Sequence, residues 1–177
     1  MNKIKIPKFL QELHGEESNL ISLISTYLIG IVVTICFYFF LIDSQIDLPI
    51  WKEVLFLLMS FDIGGGVIAN FTEGTRQYYR NQLRKHISFI LLHIFHGVAF
   101  IIIFNDLWLF FTFMTVFSIL SCLFLITINE KESKRIVSVF LFTVGVLIAF
   151  LIPCSIDFLK IVPVLFFTKL ILGFSGE

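Results

Sequence analysis

The stretch from Leu20 to Leu41 reads LISLISTYLIGIVVTICFYFFL and contains no charged residue. A bilayer hydrocarbon core about 30 Å thick is crossed by about 20 apolar residues in an α-helix. A secretory signal peptide has a shorter apolar core and a small-residue cleavage site, and this stretch has neither feature. It therefore predicts a retained transmembrane helix.

Five further apolar stretches follow the first one. The predicted spans are Leu20 to Leu41, Trp51 to Phe71, Ile87 to Phe104, Leu107 to Ile128, Ile136 to Ile152 and Ile161 to Phe174. Hydrophobic residues make up 58% of the 177-residue chain and charged residues only 15%, whereas a soluble domain carries about 25% charged residues. We expect an all-α, polytopic transmembrane helix bundle over residues 19–177, preceded by an N-terminal segment at residues 1–18.

The sixth stretch is the shortest of these candidates, because Ile161 to Phe174 is only 14 residues long and contains Lys169. It completes a sixth span if it tilts or recruits Phe158 and Leu159. Alternatively it forms a re-entrant C-terminal segment, and the bundle then has five spans.

Lysine and arginine are concentrated on one side of the predicted bundle. That side carries ten of them, at Lys3, Lys5, Lys8, Arg76, Arg80, Arg84, Lys85, Lys131, Lys134 and Arg135, while the other side carries Lys52 and Lys160. Short cytoplasmic loops are enriched in these residues. We therefore expect a multi-pass protein of the cell membrane with both termini in the cytoplasm.

Composition also excludes several kinds of partner and cofactor. The formal net charge is zero at pH 7, which argues against a nucleic acid partner. Cys36, Cys122 and Cys154 show no C-x-x-C spacing, so they indicate neither a disulfide framework nor a zinc site. The lipid bilayer is the expected partner, and any activity must lie within the bundle or at its surface.

Polar and small residues collect in the second predicted span, which reads SFDIGGGVIANFT over residues 60–72. At 100° per residue, Asp62, Gly65, Gly66 and Ala69 share one face of a helix. The spacing of Gly65 and Ala69 allows a neighbouring helix to approach closely. Gly64 lies off this face, so a larger residue there is expected to disturb the packing less. Asp62 then points into the bundle, where an ionisable residue is a functional hypothesis by default.

The third predicted span supplies partners for Asp62. A rise of about 1.5 Å per residue places Asp62 and His96 both about 15 Å from the cytoplasmic ends of their helices, and His93 about 10 Å. Lys169 reaches a similar depth from the end of the last segment. We expect a cavity that contains these side chains and opens toward the cytoplasm, with Asn70 and His86 at its mouth.

The pattern Asp62-x-x-Gly65-Gly66-x-x-x-Asn70-x-Thr72-x-x-Thr75-x-x-Tyr78 precedes a basic stretch and a histidine-bearing span. It resembles a group of small, uncharacterised bacterial polytopic integral-membrane proteins. The resemblance covers roughly residues 55–100, with a second stretch at Pro163 to Gly173. It implies a bacterial membrane location and brings no activity with it.

The first functional hypothesis is a membrane-embedded hydrolase or lipid-active enzyme. Its catalytic residues are Asp62, His93 and His96, and the same three would hold a divalent, zinc-like metal that activates water. The accessory or substrate-binding residues are Asn70, His86 and Lys169. The residue types are similar to those of seven-span ceramidase-like hydrolases, but in those enzymes the motifs are spread over more helices.

Two alternatives remain open. A small proton-coupled transporter would relay protons through Asp62 and the histidines, although no internal repeat supports it and a chain of this size suggests an oligomer. A non-catalytic membrane subunit would use Asp62 to bind a neighbouring helix, satisfy the histidines locally and let Lys169 reach the membrane surface. Haem ligation by two histidines is the weakest hypothesis, because one helix cannot supply both axial faces.

Overall fold

The computed structural model describes residues 3–80 and 82–173. Its N-terminal part is a small antiparallel ribbon in which β1 (Lys3–Lys5) pairs with β2 (Glu17–Asn19), with Ile4 opposite Ser18. Between the strands lie a 3₁₀ turn (Lys8–Leu10) and the short helix α1 (Gln11–His14). Residues 3–19 thus form a folded unit, and Met1 and Asn2 lie outside the described part.

The first two long helices form an antiparallel hairpin. Helix α2 (Leu20–Asp43) begins at Asn19, whose side-chain Oδ1 accepts a hydrogen bond of 2.8 Å from the amide of Ser22, as an N-cap does. Helix α3 (Ile50–Ala69) begins directly after Pro49, which favours the first turn of a helix. The hairpin carries the glycine-rich stretch at the end of α3.

Helix α4 (Glu73–Tyr79) starts at the N-cap Thr72 and is bent by 90° from α3. The remaining helices are α5 (Leu83–Leu92), α6 (Ile94–Ile103), α7 (Trp108–Ile126), α8 (Lys131–Leu151) and α9 (Ile161–Phe167). Helix α9 continues as a π-helical turn at Thr168–Leu172. Helix α8 ends at Leu151, one residue before the predicted end of its span, and Pro153 follows, which cannot extend a helix without losing a hydrogen bond.

Four helical segments are long and apolar enough to cross a membrane: Leu20–Asp43, Leu83–Ile103, Asn105–Ile126 and Lys131–Leu151. The bent pair α3 and α4 is a fifth candidate, and α3 alone carries three charged residues, Lys52, Glu53 and Asp62. Apart from the short β1–β2 ribbon, the predicted all-α class with membrane-spanning helices is supported, but the predicted count of six spans is not confirmed. Phe174, the predicted end of the sixth span, lies outside the described residues.

The C-terminal helical segment lies in the middle of the bundle. Val162, Phe166, Phe167, Leu170 and Ile171 are all fully buried. At its start the Phe158 ring contacts Phe37, Phe40 and Phe56, and at its end Gly173 lies against Asn70. The segment therefore runs alongside α3 from the level of Phe56 to the end of the helix.

The three consecutive glycines of α3 contact two different neighbours. A Cβ at Gly64 would lie 2.8 Å from the Cβ of Val33, and one at Gly65 would lie 3.3 Å from the carbonyl oxygen of Thr26, both on α2. A Cβ at Gly66 would overlap the side chain of Lys169. The expectation that Gly64 lies off the packed face is wrong, because α3 is enclosed on several sides and consecutive residues point to different neighbours.

Candidate functional site

The carboxylate of Asp62 lies at the centre of a polar cluster inside the bundle. Its Oδ2 atom accepts hydrogen bonds from Lys169 Nζ at 2.5 Å and from His96 Nε2 at 2.6 Å. The predicted approach of Asp62 to one of the two histidines is therefore confirmed. Both bonds fall on Oδ2, and the Asp62 side chain stays 42% exposed because it faces a cleft.

Lys169 is brought to Asp62 by the π-helical turn at the end of the chain. Its side chain is only 3% exposed, and Nζ also donates to the backbone carbonyl of Asp62 at 3.3 Å. Gly66 supplies the space that this side chain occupies. The alternative in which Lys169 extends to the membrane surface does not fit this buried ion pair, which leaves Lys169 as a member of the site.

His93 lies where α5 gives way to α6. Its Nδ1 is 2.8 Å from the carbonyl oxygen of Phe89. A carbonyl only accepts, so Nδ1 carries the proton. The Nε2 atom is buried and has no hydrogen-bond partner among the described residues. A proton there would be a donor without an acceptor, which is costly in a buried position, so Nε2 presents a lone pair.

His96 stacks on His93, with ring centroids 5.0 Å apart and planes inclined by 14°. Its Nε2 donates to Asp62, because an ionised carboxylate only accepts. Its Nδ1 is buried and lacks a partner within the described chain. The two rings therefore turn opposite nitrogens toward their partners, Nδ1 at His93 and Nε2 at His96.

A cleft of about 260 Å³ opens onto Asp62, His93, His96 and Lys169. Its walls come from α5 and, unexpectedly, from the N-terminal segment: Phe9, Leu10, Glu12, Leu13, Phe89 and Leu92. The N-terminal residues form an apolar roof over a polar floor. The sequence signal for this roof is slight: three apolar residues, Phe9, Leu10 and Leu13, are interspersed with polar ones after Pro7.

The roof is attached to α4 by backbone contacts. Thr75 Oγ1 donates to the carbonyl of Leu13 at 2.6 Å, and Tyr79 OH donates to the carbonyl of Glu12 at 3.0 Å. The backbones at Gly15 and Gly74 lie so close together that a Cβ atom at either glycine would overlap the opposite backbone. The predicted N-terminal segment is thus folded against the bundle and contributes to the site.

Two predicted accessory residues lie in different places. Asn70 Nδ2 donates to the carbonyl of Lys169 at 2.8 Å, so Asn70 positions the turn that carries the lysine. His86 does not line the cleft in the described part of the chain. Its ring instead lies 6.0 Å from that of Tyr79, because His86 is seven residues, about 10 Å, before His93 along the helix.

Asp62, His93 and His96 also meet the geometric requirement for a shared metal ion. Their ligand atoms all lie within 4.8 Å of one another, and imidazole and carboxylate are ligand types that zinc accepts. The charges fit less well. The Lys169 ammonium already neutralises the carboxylate at Oδ2, and its positive charge opposes a divalent cation at the same place.

Comparison with known proteins assigns no family: no protein-family model matches the chain, and no curated protein or solved structure matches it. The chemistry must therefore be argued from the cluster itself. It holds one carboxylate, one ammonium and two imidazoles, and each imidazole has one nitrogen without a partner among the described residues. Such a set can accept a proton from a bound molecule and stabilise a negative charge on it.

Proposed function

We propose that this chain is a membrane-embedded enzyme that performs acid–base chemistry, of a hydrolase-like kind, on a lipid or similar amphiphile. The observation that carries the proposal is the Nε2 atom of His93. It has a lone pair, no hydrogen-bond partner among the described residues, and a place on a cleft that also exposes Asp62. His96 Nδ1 is also buried without a partner among the described residues, but His96 is held in place by the hydrogen bond from its Nε2 to Asp62.

His93 acts in this proposal as the general base. A hydroxyl or water in the cleft would donate its proton to Nε2, and because this atom is buried, the side chains that line the cleft must move aside for that contact. Lys169 uses its Nζ on two atoms of Asp62, and an ammonium has three N–H donors. The remaining donor would stabilise negative charge that develops on the bound molecule.

Asp62, His96 and Asn70 are positioning residues. Asp62 holds both Lys169 and His96 through Oδ2, and Asn70 fixes the backbone of Lys169. His96 in turn stacks on His93 and limits its rotation. These contacts hold the His93 base and the Lys169 ammonium next to each other in the cleft.

The substrate class follows from the walls of the cleft. Phe9, Leu10, Leu13 and Leu92 are apolar, while the floor is polar, an arrangement that suits a molecule with an apolar chain and a polar linkage. Toward the start of α3 the bundle is filled by fully buried aromatic residues, Phe56, Phe100 and Phe111 among them. Access from one side suits an enzyme that takes its substrate from one leaflet.

The proposed topology has six passes with the cleft on the cytoplasmic side of a bacterial cell membrane. Its support is that the C-terminal segment runs alongside α3 between Phe56 and Asn70, although it is shorter than an ordinary span. The excess of lysine and arginine on the side of α1 and α4 supports the orientation.

The test is lipid turnover by the purified chain in nanodiscs made from a bacterial lipid extract. Mass spectrometry should show time-dependent conversion of one lipid class, and His93→Gln should lower the rate about 10²-fold or more, as loss of a general base does. His86→Gln is the matched control, since it changes the same residue type on the same helix outside the cleft. No turnover, or equal loss in both variants, would refute the proposal, and proton flux without turnover would favour a carrier.

A metal-assisted hydrolase is the second candidate, because the ligand atoms of Asp62, His93 and His96 lie within 4.8 Å of one another. Metal analysis of the purified protein separates the two candidates. One zinc-like ion per chain, lost in both Asp62→Asn and His93→Ala while the fold persists, would establish this second mechanism. Turnover that withstands chelation would support acid–base chemistry by the side chains alone.

A further inference from the structure

The cleft over Asp62 continues outward into a second cleft. The outer cleft has a volume of about 370 Å³ and shares Glu12, Phe89 and Leu92 with the inner one. Its other lining residues are Tyr79, Arg84, Lys85 and Ser88. The two clefts together form one groove along α5, between the N-terminal segment and the start of that helix.

Positive charge is concentrated at the outer end of this groove. Arg84 and Lys85 are both exposed, and neither has a carboxylate within 4.0 Å in the described chain. The Lys85 ammonium lies 4.2 Å from the centre of the Tyr78 ring, which orients it without neutralising it. Glu12 is the one acidic residue that lines this end, so the outer end keeps a net positive charge.

Arg84 and Lys85 lie at one end of this groove and His93 lies at the other. Arg84 precedes His93 by nine residues, about 13 Å along a helix. Phe89 and Leu92 provide the apolar surface between them. A planar guanidinium with a neighbouring ammonium is a typical receptor for phosphate oxygens.

We infer that the groove binds an anionic phospholipid, with its phosphate on Arg84 and Lys85 and its linkage toward His93. This inference deepens the proposed function, because it names the class of amphiphile that the inner site would receive. Charge complementarity selects the anionic head group. The apolar surface that Phe89 and Leu92 give both clefts selects a lipid over free phosphate.

The test measures binding to the purified full chain in neutral detergent. The probes are short-chain phosphatidylglycerol, short-chain phosphatidylcholine and inorganic phosphate. We expect the dissociation constant for phosphatidylglycerol to be about tenfold lower than that for phosphatidylcholine, the size of one good charged contact. The Arg84→Gln/Lys85→Gln variant should remove most of that preference, while the matched pair Lys131→Gln/Arg135→Gln should keep it.

Three outcomes would overturn the inference: equal affinity for the two lipids, a preference that survives Arg84→Gln/Lys85→Gln, or inorganic phosphate that competes as well as the lipid. His93→Gln separates this inference from the proposed function. If both hold, that variant loses turnover and keeps the preference for phosphatidylglycerol. A preference in a protein without turnover would leave the groove intact and refute the enzyme alone.

Discussion

At the scale of residues, Asp62 and Lys169 neutralise each other's charge inside the bundle. A single charge inside a membrane protein is costly, and such residues are usually paired. Here the Lys169 ammonium lies 2.5 Å from the Asp62 carboxylate, and His96 shares the same oxygen. The pair allows both charges to lie within the bundle beside an apolar cleft.

Replacing one member of the pair should therefore lower the free energy of unfolding more than replacing both members. Lys169→Met leaves Asp62 unpaired, and we expect a loss of about 2 kcal/mol in the free energy of unfolding, less than for a fully buried pair because Asp62 faces the cleft. The double variant Asp62→Asn/Lys169→Met should recover at least half of that loss. Unfolding of the parent, the two single variants Asp62→Asn and Lys169→Met, and the double variant in detergent measures this coupling, and strictly additive losses would contradict the pairing.

The sequence predicts only part of this cluster. Asp62 and His96 lie on helices joined by a short connection, so counting residues from the helix ends brings them to one depth. The partnership of Lys169 with Asp62 depends on where the last segment enters the bundle, and nothing in the local pattern determines that. The unprotonated Nε2 of His93 likewise depends on a backbone carbonyl at Phe89, which only the folded chain defines.

At the scale of elements, α3 is defined by its three glycines. Gly64 and Gly65 allow α2 to approach, and Gly66 leaves space for Lys169. Helical periodicity predicts a close contact at these glycines but does not identify the contacting residues. Three consecutive glycines point to different sides of the helix, and the sequence does not show which neighbour lies on each side. The structure therefore assigns packing to two of them and the site to the third.

Alanine at the three glycines should separate these roles. Gly64→Ala places a methyl group 2.8 Å from Val33, and such overpacking costs about 1–3 kcal/mol. Gly65→Ala places a methyl group 3.3 Å from the Thr26 carbonyl oxygen and 3.7 Å from its Cγ2, and it should lower the melting temperature less. Gly66→Ala should displace Lys169. It should lower turnover strongly and the melting temperature only slightly. Equal changes in melting temperature and turnover in all three variants would contradict this division.

The N-terminal segment is the element that sequence reasoning underestimated. His14 is buried and bonded to Tyr27 OH at 2.9 Å, and burial lowers the pKa of His14 below its ordinary value. The undocked segment therefore binds a proton more readily than the docked one. Docking should weaken as pH falls below about 6.5 toward the lowered pKa, and it should be strongest above that range.

Hydrogen exchange of residues 3–18 measures this effect. We expect faster exchange at about pH 5.5 than at about pH 7.5, after correction for intrinsic rates, because protonated His14 leaves its buried position. His14→Gln should remove most of that pH dependence. Exchange that is equally slow at both pH values in the parent would show that His14 does not control the docking of the roof.

At the scale of the whole molecule, apolar length and charge bias predict the class and a large part of the helix order. Four helical segments and one bent pair qualify as spans. The C-terminal segment does not qualify by length, because it lies in the protein interior and need not present a full apolar surface to lipid. The N-terminal segment packs on α4 because α4 is bent by 90° from α3. Hydrophobic periodicity does not predict such a bend.

Orientation has a direct test in a chain whose three cysteines are replaced by alanine. Single cysteines at Arg80 and Ser133 should resist an impermeant thiol reagent in intact cells, whereas one at Asp47 should react, because the basic loops are expected inside. Opening the cells should make the first two positions reactive. Labelling at position 80 from outside would reverse the orientation and place the cleft on the other leaflet.

The account depends most directly on the protonation of His93. Solid-state NMR of the ¹⁵N-histidine-labelled protein in bilayers distinguishes the two ring nitrogens of each of its four histidines, and His93→Gln assigns the signals. The account predicts a protonated Nδ1 and an unprotonated Nε2 at His93, with the reverse tautomer at His96. A protonated Nε2 at His93 would leave the cleft without a base and contradict the proposed mechanism.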